Sequence, residues 1–168
     1  MSPLKPGPEL PRSIRSVLFV CTGNSCRSVI AEGFFKKMLK GLGREINVSS
    51  AGTSAFPMGA TDETLKVLAE EGVDMKAHRS RCVTKPMLEE ADVIFVMQSA
   101  HRDFLNAMLP HISAKIFLLS DFYPEQEKVR REGGIPDPIG RGFSFYKTTA
   151  AMIRKCLEAV AHAIEEPK

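Results

Sequence analysis

The chain has 168 residues, 43% hydrophobic and 26% charged, which fits one globular domain and excludes a disordered protein. A formal net charge of +3 without a Lys/Arg run argues against nucleic acid as a partner. No apolar stretch reaches the roughly 20 residues of a membrane span, so no membrane partner is expected.

In chain order, MSPLKPGPELPRS lacks the apolar middle of a signal peptide, and its prolines make residues 1–13 a short, flexible tail. The expected address is the cytoplasm, where the four cysteines read as thiols rather than a disulfide frame. SVLFVC (16–21) is apolar and β-branched, a buried strand. Ile30, Phe34, Met38 and Leu42 then recur at helical spacing, with Gly43 as a stop. INVSSAG (46–52) is a second strand. A helix follows from Thr61, with Leu65 and Leu68 on one face and Gly72 at its end. TKPMLEEA (84–91) is a short helix, DVIFVM (92–97) a third strand, 99–109 a helix and KIFLLS (115–120) a fourth strand. Residues 121–142, rich in Gly and Pro, are mostly loop, and Ile153, Leu157, Val160 and Ile164 mark a closing helix. Strands alternating with helices predict a single α/β domain, a doubly wound parallel sheet with helices on both faces. Ligands of such sheets sit beyond the carboxyl ends of the strands, where the 22–26 loop lies.

That loop carries the chemistry. Cys21 and Arg27 are separated by TGNSC, between a strand and a helix. A tight turn into a helix points backbone N–H groups inward, a nest for an anion, and the helix N-terminus adds positive charge. Gly23 permits unusual backbone angles, Asn24 tolerates the left-handed region, and Arg27 can close the cup with a two-pronged bond. The same field favours thiolate at Cys21, and Ser28 is close enough in sequence to donate to it. A thiolate at the floor of such a cup is placed to attack phosphorus in line. Asp137, between two prolines in IPDPIG, is a candidate proton donor for the leaving group. The bland alternatives are a buried cysteine beside a surface arginine and an Asp-Pro turn. A metal pair at Cys21 and Cys26 lacks a second pair at zinc spacing.

Together VLFVCTGNSCRS, AEGFFKKML, SSAGTSAF, AHRSRCVT and IPDPIG resemble the low-molecular-weight protein tyrosine phosphatase family, over about residues 14–165. The resemblance implies a four-stranded parallel sheet of flavodoxin-like form in a domain of residues 14–168. It implies a two-step phosphocysteine mechanism with no metal and no cofactor. Cys21 is then the nucleophile, Arg27 the phosphate clamp and Asp137 the acid and base. Thr22, Gly23, Asn24, Ser25, Cys26 and Ser28 line the phosphate site, Phe56 offers an aromatic wall, and Ser50 and His78 support the loop. Cys26 matches a second loop cysteine able to trap the nucleophile as a disulfide. The implied partners are a phosphorylated protein and oxyanions such as phosphate or sulfate.

Within the family, tyrosine-type members carry a bulky aliphatic residue where Ser25 stands, an aspartate where Gln98 stands, and two aromatics where Ile139 and Gly140 follow the Asp-Pro. Bacterial arginine-type members resemble DPIGRGFSFYKTT, have threonine at the Ser25 position and a histidine at that of His101. A thioredoxin-linked arsenate reductase is an alternative, but it needs two relay cysteines after the third strand, where this chain has Met97 and no cysteine between Cys82 and Cys156. A silent phosphate-binding module is a further alternative. Cys82 and Cys156 read as incidental and as packing.

Overall fold

A computed structural model describes residues 7–125, 129 and 133–165. Four strands form one parallel sheet in the order β2-β1-β3-β4: β1 (Ser16–Cys21), β2 (Asn47–Gly52), β3 (Val93–Val96) and β4 (Ile116–Leu118). Among the described residues five α-helices accompany them: α1 (Arg27–Gly41), α2 (Asp62–Glu70), α3 (Lys85–Glu90), α4 (Ser99–Met108) and α5 (Phe143–Glu165).

β1 shows why the sheet needs cover on both faces. Its side chains alternate: Val17, Phe19 and Cys21 join the core shared with α1 and α5, while Leu18 and Val20 join the one built with Leu88 of α3 and Leu105 of α4. β3 divides the same way, Val93 and Phe95 to one side and Ile94 and Val96 to the other. Phe19 stacks on Phe95 with centroids 5.6 Å apart and meets Phe35 of α1 edge-on at 5.8 Å, so the first face is anchored by aromatics.

The expected elements are present, with shifted ends that have physical causes. The third strand begins one residue late because the Asp92 carboxylate accepts the Arg15 and Ser16 amides at 2.7 and 3.0 Å. Those backbone bonds, the one from Arg15 foremost, hold its pKa below the usual carboxylate range. It ends one residue early because the Met97 carbonyl leaves the ladder to accept Ile135 N at 2.9 Å. The fourth strand is three residues rather than six: its ladder with β3 closes at Val96–Leu118, and Leu119–Phe122 turn into a 3₁₀ helix. In α2 the buried face is Thr64, Val67 and Leu68, with Leu65 only half-buried. Residues 1–6 of the expected tail, and parts of the expected 121–142 loop, lie outside the described residues. Leu10 is buried in the core cluster.

The chain leaves central β1 outward to β2, then crosses back to β3 on the other side. The carboxyl ends of β1 and β3 therefore diverge into a crevice at this switch point, with Cys21 at its floor.

Candidate active site

β1 stops at Cys21 and α1 starts at Arg27, so five residues must reverse the chain. Asn24 makes this possible with φ of 52°, a left-handed conformation that asparagine accepts better than most residues. The expected freedom of Gly23 is not what the turn uses: Asn24, not Gly23, carries the positive φ. The loop carbonyls are drawn outward. Thr53 N and Ser54 N donate to the Cys21 and Thr22 carbonyls, each at 2.9 Å, Thr61 N to that of Ser25 at 3.2 Å and Ile30 N to that of Cys26 at 2.9 Å. The Asn24 carbonyl takes Ser80 Oγ at 2.7 Å and pairs with His78 Nε2 at 2.9 Å. Carbonyls held outside turn the peptide N–H groups toward the inside, the condition for an anion nest. β2 passes so close that a Cβ on Gly52 would collide with the Thr22 carbonyl and stand 3.0 Å from Asn24 N.

Within the loop, Asn24 is fully buried. Its Nδ2 donates to Ser28 Oγ and Ser50 Oγ, both at 2.9 Å, and its Oδ1 accepts Arg81 N at 3.1 Å. Ser28 Oγ lies 3.0 Å from Cys21 Sγ. The cysteine is 2% exposed. Since Asn24 supplies a proton to Ser28 Oγ, the serine's own proton is available to the sulfur.

Arg27 is buried at 2% exposure, and Nη1 donates to Gln98 Oε1 at 2.9 Å and to the Ile135 carbonyl at 3.0 Å. Both acceptors are neutral, so they fix the guanidinium without cancelling its charge. The nearest countercharge is Asp137, with Oδ2 3.5 Å from Nη2 and its side chain 44% exposed. Asp137 Oδ1 accepts Ile139 N at 3.1 Å, which stiffens the turn after the two prolines. Gly134, at φ 115°, lets this segment touch β3, since a Cβ there would strike the Met97 carbonyl. The arrangement is a positively charged cup with a sulfur at its floor and a carboxyl group beside the arginine.

The remaining residues extend the site. Ser25 is half-buried, its Oγ 3.7 Å from Cys26 Sγ. Cys26 also meets Tyr146 Oη at 3.5 Å and Thr61 Oγ1 at 3.6 Å. Burial pushes the Tyr146 pKa up to about 12. Phe56 is 75% exposed, on the segment whose Ser54 holds the Thr22 carbonyl. Sequence reasoning treated Gln98 and His101 only as marks of substrate type, whereas Gln98 grips Arg27 and His101 Nε2 lies 2.8 Å from Thr22 Oγ1. It gave no site role to Ser80 and Arg81, which lie within the AHRSRCVT stretch, or to Thr61, which it read only as a helix start. Cys156 is buried in α5, which raises its pKa to about 12, and exposed Cys82 donates to the Ala55 carbonyl.

A model of the family "Low molecular weight phosphotyrosine protein phosphatase" matches residues 16–168. A protein-arginine-phosphatase of Bacillus subtilis is 30% identical over 153 residues, covering 90% of this chain and 98% of that one. Among solved structures, a low molecular weight protein tyrosine phosphatase from T. tengcongensis is 36% identical with TM-score 0.78, covering 89% of this chain and 99% of that one. The YwlE arginine phosphatase, as a cysteine-to-serine mutant with a phosphorylated active-site serine, is 30% identical with TM-score 0.80, covering 91% and 97%.

Proposed function

The chain belongs to the low molecular weight phosphotyrosine protein phosphatase family and is a cysteine-dependent protein phosphatase, and from that premise we propose that Cys21 is its nucleophile and phosphoarginine in proteins its preferred substrate. The observation that carries the mechanism is the Cys21 sulfur, 3.0 Å from Ser28 Oγ at the floor of the loop that leads into Arg27.

The thiolate attacks phosphorus as the bond to the leaving group breaks. The loop N–H groups and Arg27 stabilise the equatorial oxygens of a loose transition state, where positioning and charge supply most of the acceleration. Asp137, protonated, gives its proton to the departing nitrogen or oxygen. As carboxylate it then takes a proton from the water that attacks the phosphocysteine, releasing phosphate and regenerating the thiolate. The phosphorylated active-site serine of the YwlE mutant supports a phosphoenzyme at the equivalent step. Phosphate and sulfate compete for the cup. The four free cysteines support a reducing compartment, the cytoplasm. The phosphatase domain is residues 14–168, with Leu10 of the preceding segment packed into its core.

The substrate choice rests on the pocket walls. Ser25 is small and polar, and Ile139 and Gly140 follow the Asp-Pro, so Phe56 is the sole aromatic of the expected walls. A phenyl ring wants aromatic or aliphatic walls, whereas a guanidinium leaving group wants polar partners, which the Asp137 carboxyl supplies by accepting an N–H on one oxygen while the other gives up its proton. The test is turnover of a phosphoarginine and a phosphotyrosine peptide by the wild type, Ser25→Thr and Ser25→Ile. Preference for phosphoarginine, kept by threonine and reversed by isoleucine, is expected. A phosphotyrosine preference unmoved by either change would remove the arginine assignment. Lack of a burst of leaving group before steady turnover, together with no phosphate trapped on Cys21 at acid quench, would remove the phosphocysteine step.

A further inference from the structure

His101 lies outside the nucleophile loop, on the first turn of α4, and is 4% exposed. Each of its ring nitrogens meets a different part of the site. Nδ1 accepts the Gln98 backbone N–H at 3.1 Å. Nε2 lies 2.8 Å from Thr22 Oγ1. A backbone N–H only donates, so Nδ1 carries no proton, and in the neutral ring the proton sits on Nε2 and is donated to Thr22. Thr22 is the residue after Cys21, and Gln98 is the residue that grips Arg27. One imidazole therefore ties the side chain of the residue after the sulfur to the backbone of the residue whose side chain grips the guanidinium.

We propose that His101 is a positioning residue, holding Cys21 and Arg27 in mutual register as a neutral, Nε2-protonated imidazole bridged between Thr22 and Gln98. The proposal rests on the reading of this loop as a phosphate site. Its surroundings suit the role. Burial first, then the nearby Arg27 charge, pull the His101 pKa down to about 4, with Asp137 opposing, so the ring is neutral where Nδ1 must accept. A charged ring would present a proton to the Gln98 N–H and break that arm.

The two arms can be cut separately. In His101→Asn the amide oxygen takes the place of Nδ1 and keeps Gln98, but the side chain is too short for Thr22. In His101→Gln the amide nitrogen takes the place of Nε2 and keeps Thr22, but the Gln98 N–H loses its acceptor. Calorimetric titration with inorganic phosphate reads the Arg27 arm without any turnover, and kcat on phosphopeptide reads the Cys21 arm. The expected result is a split: His101→Gln weakens phosphate binding by about tenfold, while His101→Asn keeps phosphate affinity and loses about tenfold in kcat. Thr22→Val, which cuts the second arm from its exposed end, should reproduce the Asn effect and add nothing to it in the double variant. Thermal midpoints are taken for all variants. Loss of both constants in parallel with the midpoint in both variants, or no change in either constant, overturns the proposal. A wild type that binds phosphate but hydrolyses neither peptide overturns the phosphatase reading, and the phosphate titrations still decide the Gln98 arm. A wild type that does neither overturns both.

Discussion

The two walls of the crevice are built on opposite plans. In residues 21–28 the floor is buried and densely bonded, with Thr22 exposed and Gly23 and Ser25 half-buried at the mouth: Asn24 alone holds Ser28, Ser50 and Arg81 through its side chain and Ser80 through its carbonyl. On the other wall Ile135 and Pro138 are buried but Asp137, Ile139 and Gly140 are exposed, and the Asp137 carboxylate is held by one backbone amide and one ion pair at 3.5 Å. A cup that must stabilise charge in a transition state gains from dipoles already in place, since they need no reorganisation at the moment of reaction. An acid that must follow a leaving group, and then meet a water, gains from exposure. The difference teaches that stability and chemistry are separated across the crevice: the cup carries both, the acid wall mainly the second.

The largest expected effect falls on the floor of the cup. Cys21→Ser should lower turnover by about ten-thousandfold or more while phosphate still binds, as read by single-turnover kinetics and calorimetry. Residual turnover near wild type would move the nucleophile elsewhere. On the opposite wall, Asp137→Asn should cost about a hundredfold with a poor leaving group and far less with an activated nitrophenolate. Its thermal midpoint should stay near wild type, because the side chain is 44% exposed. Equal losses on both substrates would end its role as acid, and a large fall in midpoint would erase the contrast between the walls. Asn24→Ala should do the reverse of the acid variant and destabilise the fold by about 3 kcal/mol in urea, through lost buried hydrogen bonds and an alanine forced to positive φ.

A further effect is expected in acid. Burial and the Arg27 charge lower the His101 pKa from 6.5 to about 4. Between those values the unfolded chain binds more protons than the native one, so this contribution is fully present above pH 6.5 and is lost as pH falls toward 4. The urea midpoint should decline across that window, and decline less in His101→Gln. An identical decline in the variant would assign it to other groups.

Much of the architecture is legible in the amino-acid sequence. Apolar runs of strand length mark β1 and β3, 3–4 spacing marks α1 and α5, and capping threonines at 61 and 84 stand where α2 and α3 start. Strand ends are less legible, because β4 ends where its neighbour's ladder ends and the Asp92 side chain caps the start of β1 by accepting two amides. Neither event is a property of the local segment.

The site divides along the same line. By itself the sequence determined the Cys21–Arg27 loop, because a strand, a short turn with an asparagine and a helix N-terminus form a continuous stretch whose chemistry is local. It also named Asp137 between its prolines and matched Ser50 and His78 to the loop by family likeness. Only the tertiary structure decided that Gln98 and the Ile135 carbonyl grip Arg27 beside Asp137, that His101 bridges to Thr22 across 79 positions, and that Tyr146 closes on Cys26 across 120. Those contacts exist because parallel strands bring their carboxyl ends to one edge of the sheet, so residues far apart in the chain arrive at the same crevice. Nothing in the composition around Gln98, His101 or Tyr146 encodes that meeting; the register of β1 against β3 brings the first two to the loop, and the packing of α5 against α1 brings Tyr146.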